Sequence, residues 1–190
     1  MIGGPTVAVV GSANLDIVVR ARVHPEPGET VLGTSYDETV GGKGANQAMA
    51  VAEHCAVEFV GCVGTDEAGD HILDRLSQRR VGTGHVSRVP GPSGRAFVTV
   101  AGDGENSIVV VPLANNSVTS AQVEEALDRI VPIAVLAQLE IPVEAVDAAR
   151  RWSERRGVRF VLIPSPVRQV PVGLLAPCDP LIVNLVDGRR

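Results

Sequence analysis

Three polar stretches border apolar runs in this 190-residue chain, and their residue types suit the gripping of hydroxyl groups. In "GSANLD" (11–16), Asn14 and Asp16 stand two apart, so an extended backbone points both side chains to one side. An amide beside a carboxylate offers the mixed donors and acceptors that a polyol needs. The alternative reading of that stretch is an Asx turn. In "VGGKGANQAMA" (40–50), Lys43 is the chain's single lysine and stands between Gly42 and Gly44. Glycines there allow close backbone approach and positive φ. A helix starting near residue 44 would aim free N–H groups at a bound molecule, with Asn46 in its first turn. The other reading of the loop is a tight turn with a solvated lysine. In "QLE" (138–140), Glu140 follows an apolar run. It reads either as a ligand contact or as a cap for a helix opening near Pro142.

Other chemistries lack their spacing. Lys43 is followed by glycine rather than Ser or Thr, so the loop is not a Walker phosphate loop. No GxGxxG opens the first strand-to-helix turn, which excludes a dinucleotide fingerprint. His24, His54, His71 and His85 show no metal-ligand spacing; His54 and His71 fall in helical patterns and are expected at or near the surface. No GxSxG elbow or Cys/His constellation is present. Asp66 in "GTDEAG" reads as a helix N-cap. The net charge of −5 argues against nucleic acid or an anionic membrane as partner. Cys55, Cys62 and Cys178 form no CxxC pair and read as buried free thiols in a reducing interior. The N-terminus lacks a signal-peptide pattern and no apolar window reaches the length of a membrane span. A soluble, cytoplasmic protein is expected.

These groups need a scaffold, and the apolar patterning supplies one. With 45% apolar but only 3% aromatic residues, Val, Leu, Ile and Ala must fill the core. Short β-branched runs at 6–12, 57–64, 133–140, 158–164 and 180–184 read as strands buried on both faces. Helical patterns lie between them at 44–54, 66–80, 119–130 and 142–157, the last opening after Pro142 and closing at Gly157. Alternating strands and helices predict an α/β, doubly wound, mainly parallel sheet. Segments 16–40 and 94–112 break the alternation; they contain strand-like pieces, the latter a hairpin around "GDGEN". Both fit a small antiparallel flap beside the main sheet. The chain is expected to form one domain over 1–190.

Taken together, "GSANLD", "PGET" (27–30), "GGKGANQA" (41–48), "GTDEAG" (64–69), "GEN" (104–106), "AN" (114–115), "QLE" (138–140) and "PSP" (164–166) resemble, in order and spacing, the ribokinases within the PfkB carbohydrate-kinase family. The resemblance covers essentially the whole chain. It implies a ribokinase-like fold with a β lid. It also implies transfer of the γ-phosphate of ATP, with Mg²⁺, to the hydroxymethyl group of D-ribose or a related sugar. On that resemblance Asn14, Asp16, Gly42, Lys43, Gly44, Asn46 and Glu140 hold the sugar, while Asn184 contributes to nucleotide binding and Asp187 to the metal. A homodimer formed through the lid is implied too.

The pattern also departs from the family. Members run to roughly 300 residues, and the stretch resembled here is their N-terminal portion. The GAGD turn with its aspartate base and the monovalent-cation site belong to the other portion, so no catalytic base is expected within residues 1–190. Leu113 stands where the family has Gly, Ile163 where it has Asn, and Asn184-Leu185-Val186-Asp187 where it has Asn-Glu-x-Glu. The alternative expectation is a truncated, catalytically inactive sugar-binding or dimerising module.

Overall fold

Successive side chains of the first apolar run, Val7-Ala8-Val9-Val10, point to opposite faces and so feed both halves of the core. The computed structural model describes residues 5–183. Strand β1 (Thr6–Val10) sends Val7 and Val9 to one face of a sheet and Ala8 and Val10 to the other. The chain then leaves the sheet through β2 (Asn14–Ala21) and β3 (Gly33–Gly41), and returns by helix α1 (Lys43–Val51) to β4 (Ala56–Gly64). Helix α2 (Glu67–Gln78) and β5 (Gly82–Val89) follow. A second excursion, β6 (Gly94–Val100) and β7 (Asn106–Val111), ends in a 3-10 turn over Leu113–Ser117. Helix α3 (Ser120–Ile130), β8 (Ala134–Gln138), α4 (Val143–Arg156), β9 (Arg159–Ile163) and the single turn α5 (Val172–Leu175) complete it.

The main sheet has the order β5-β4-β1-β8-β9 and every pairing is parallel. Helices α1 and α2 cover one face over Phe59, Ile72 and Leu76; α3 and α4 cover the other over Leu127, Trp152 and Leu162. Full burial of each such side chain contributes about 1.5–3 kcal/mol. The helix ends behave as their residues dictate. Thr119 caps α3 by accepting from Gln122 N at 3.1 Å, and Gly157 closes α4 at φ 64°. No described helix is long and apolar enough to cross a membrane.

The two excursions join as a separate four-stranded sheet of order β3-β2-β6-β7. Its outer pairs, β2–β3 and β6–β7, are antiparallel as expected; the central β2–β6 pair is parallel. The register aligns Asp16 with Ala96 and Val110, and Val18 with Val98 and Ile108. One face of this smaller sheet therefore presents small aliphatic side chains towards the main domain. Its root is anchored by Asp66, which caps α2 through Gly69 N and also accepts from Ser93 N, Ser93 Oγ and Arg95 Nη2. Burial pushes the Asp66 carboxyl up, but these hydrogen bonds outweigh it and hold it at about 2. The anchor is intact above the ordinary carboxylate range and is lost only as pH falls towards 2.

Several expectations need correction. The run at 180–184 forms only a single bridge, Leu162 to Leu181, within the described residues. Strand β5 was not anticipated from the sequence: its glycines and polar residues hide the pattern of a half-exposed edge strand. His54 lies beyond the end of α1, in an exposed turn. Of the three free cysteines only Cys62 is fully buried; Cys55 and Cys178 are half-buried.

Candidate functional site

In an open parallel sheet, ligands bind where neighbouring strands lead off in opposite directions. Here that point lies at the carboxyl ends of β1 and β8, because the chain builds one side of the sheet from β4 and the other from β9. A cavity of about 660 Å³ opens there, roofed by Ala96, Val98, Ile108 and Val110 of the smaller sheet.

The sequence candidates Asn14, Asp16, Gly42, Lys43, Asn46 and Glu140 all line it. Asn14 and Asp16 share a face of β2, as an extended segment requires. A Cβ on Gly41 would fall 1.9 Å from Asp16 Oδ2, so only glycine lets the carboxylate lie over that backbone. Gly42 has φ 87° and precedes α1 without a side-chain cap of its own.

Glu140 supplies that cap. Its Oε2 accepts from Lys43 N at 3.0 Å and from Ser12 Oγ at 2.6 Å. A carboxylate at a helix N-terminus also meets the positive end of the helix dipole. Glu140 thus resolves the two readings of "QLE" in a way neither foresaw: it lines the cavity and caps a helix, but the helix is α1, not the one after Pro142. Lys43 Nζ stands 3.7 Å from Glu140 Oε1 and is itself half-exposed. The Glu140 carboxylate is buried, so the ammonium is the solvent-facing half of the pair.

Asp16 is the unsettled charge in this cavity. Burial first, and then the negative Glu140, push its carboxyl up to about 6. Its Oδ1 is buried and has no partner among the described residues. A buried acceptor left unmet is costly, and a ligand hydroxyl would satisfy it. Asn46, exposed in the first turn of α1, adds an amide.

Gly44 stands apart from the other candidates. It is absent from the cavity wall; a Cβ there would lie 2.6 Å from Ser12 N, so its role is to seat α1 against the end of β1. Asn184 and Asp187 lie outside the described residues. Among the described residues, no cluster of three His, Cys, Asp or Glu side chains could hold a metal ion. Sequence reading missed Ser12 and Asn115, which sit inside quoted motifs but behind the cavity wall. It also missed Arg168, whose Nη1 donates to the carbonyls of Leu139 and Ile141 on either side of Glu140. Nothing in the local pattern around Arg168 marks it, since its partners are 27 and 29 residues away.

The chain is 42% identical to a ribokinase of Bacillus subtilis over 165 residues, covering 85% of this chain and 56% of that protein. Among solved structures, a ribokinase from Thermotoga maritima superposes with TM-score 0.85 at 30% identity, covering 97% of this chain and 61% of the other. An Arabidopsis thaliana ribokinase solved with ribose and ATP superposes with TM-score 0.77 at 31% identity, over the same shares of the two chains. The chain thus spans about three fifths of the length of the relatives it matches. The family model described as "pfkB family carbohydrate kinase" matches residues 5–188, nearly the whole chain. On that match, and on a main sheet that gathers the motif residues around one cavity, the chain belongs to the pfkB family of carbohydrate kinases.

Proposed function

We propose that this chain forms the sugar-accepting part of a ribokinase-type site, binding D-ribose or a closely related sugar for phosphorylation at its hydroxymethyl group by ATP. The observation that carries the proposal is the convergence of Asn14, Asp16, Asn46 and the Glu140-capped start of α1 on one cavity under an apolar roof. Asp16 accepts from sugar hydroxyls, Asn14 donates to one, and Asn46 can do either. The smaller sheet acts as a lid: Ala96, Val98, Ile108 and Val110 exclude water that would compete for the phosphoryl group. ATP, and Mg²⁺ to neutralise its phosphates, come from the family. No described residue is assigned to either, and no proton transfer is assigned to this chain. The ribose and ATP bound to the Arabidopsis relative support the choice of ligands.

The outer face of the lid, with Tyr36, Phe97 and Val109 all more than 45% exposed, is the surface for a second copy of this chain.

Titration calorimetry with D-ribose tests the reading. The chain is expected to bind ribose, and Asp16→Ala to weaken binding by roughly 100-fold, the loss of a charge-assisted hydrogen-bond acceptor. No ribose binding, or binding indifferent to Asp16→Ala, overturns it. A coupled assay with ATP and Mg²⁺ separates a kinase from a sugar-binding module without turnover, the alternative that no observation here favours.

A further inference from the structure

Asn115 lies in the 3-10 turn after β7 and is 1% exposed. Its side chain reaches the junction of β1 and β2. Oδ1 accepts from Ala13 N at 3.0 Å; Nδ2 donates to Asn14 Oδ1 at 2.8 Å and to Ala13 O at 3.3 Å. Donor logic fixes both amides. A backbone N–H can only donate, so Asn115 must turn its oxygen to Ala13 N. Its nitrogen then faces Asn14, which must answer with oxygen. Asn14 is itself 1% exposed and lines the cavity, so Nδ2 is the part of its amide left for a ligand. Two residues along the same strand face, Asp16 offers an acceptor oxygen without a partner.

We infer that Asn115 is a positioning residue that sets the hydrogen-bond polarity of the cavity, presenting a donor at Asn14 beside an acceptor at Asp16. The inference rests on the reading that this cavity takes a sugar, and it narrows the ligand class. The oxygen at Asp16 must carry a proton, whereas the group at Asn14 need only offer a lone pair. A fluorine can therefore replace the hydroxyl that faces Asn14, but not the one that faces Asp16. The packing is tight as well: a Cβ on Gly94 would fall 2.2 Å from both Asn115 Nδ2 and Asn14 Oδ1, so only glycine at 94 leaves room for the amide pair.

The test uses the parent chain of 190 residues and two isosteric variants. In Asn115→Asp, the new carboxylate still accepts from Ala13 N but turns oxygen towards Asn14, forcing the Asn14 amide to reverse. Asn14→Asp accepts from Asn115 without rearrangement and turns an acceptor into the cavity. Both variants are expected to bind D-ribose roughly 30-fold more weakly, the loss of one hydrogen bond to a buried group. Both are expected to lose preference between a monofluorinated deoxyribose that binds the parent chain and its deoxy counterpart. A readout without ligand accompanies this. By NMR, the Asn14 side-chain amide protons are expected to exchange about tenfold more slowly in Asn115→Asp than in the parent chain. Equal Asn14 amide exchange in the parent chain and in Asn115→Asp overturns the inference, as does unchanged ribose affinity in both variants. Should Asn115→Asp fail to fold, the ribose affinity and fluorosugar preference of Asn14→Asp still decide. If the parent chain binds no ribose, the sugar reading falls, while amide exchange still decides whether Asn115 sets the polarity.

Discussion

Asp16 concentrates the conflict between stability and function at the scale of a single residue. Its carboxyl is raised to about 6 by burial and by Glu140, so folding favours the proton while a sugar hydroxyl favours the carboxylate. The sign follows. A folded-state pKa above the unfolded value means the favourable contribution is complete below about 4 and is lost as pH rises through about 6. Asp16→Asn is therefore expected to stabilise the chain by about 1–2 kcal/mol at pH 8 and by little at pH 4.5, as denaturant melts at the two values would read. Ribose affinity of the parent chain runs the other way and rises between pH 5 and 7. Equal stability of the two proteins at both pH values would refute the buried-charge account. Asn14 and Asp16 were legible in the sequence because spacing of two on a strand is a local rule. Asn115, about a hundred residues away, was not, because its contact with Asn14 exists only once β7 has returned to the β1–β2 junction.

Among the elements, the helix ends carry the clearest local strain. Helix α3 closes on Val131, a β-branched residue held at φ 49° and 71% exposed. Left-handed backbone costs an L-residue about 1–2 kcal/mol, and little buried area would be lost on replacement. Val131→Gly is expected to raise stability by about 0.5–1 kcal/mol, seen as a higher thermal midpoint; a lower midpoint would show that the exposed side chain contributes more than the strain costs. Leu113, in the position where the resembled family has Gly, is similarly held at φ 48°, but it is half-buried, so the exchange there is less clean. Caps such as Thr119, Asp66 and Gly157 were readable because capping is decided within a few residues. Glu140 was not readable as the cap of α1, since the two lie 97 residues apart in the chain.

Over the whole molecule, the two sheets divide the labour: the parallel one supplies the floor of the cavity, the smaller one its roof. The outer side of the roof leaves Phe97 47% and Val109 64% exposed. On the proposed lid-to-lid dimer, sedimentation at micromolar concentration is expected to give a dimer for the parent chain and a monomer for Val109→Asp, which would bury a charge at the centre of the interface. A monomeric parent chain would refute the dimer. By itself, the sequence determined four of the five main-sheet strands, the main helices and the family, because each rests on periodicity, capping or motif spacing over short distances. Only the tertiary structure decided which helix Glu140 caps, that Gly44 seats α1 rather than lining the cavity, that β2 and β6 pair in parallel, and which way the Asn14 amide faces. Those outcomes depend on groups distant in the chain meeting with complementary donors and acceptors, and no local pattern encodes such a meeting.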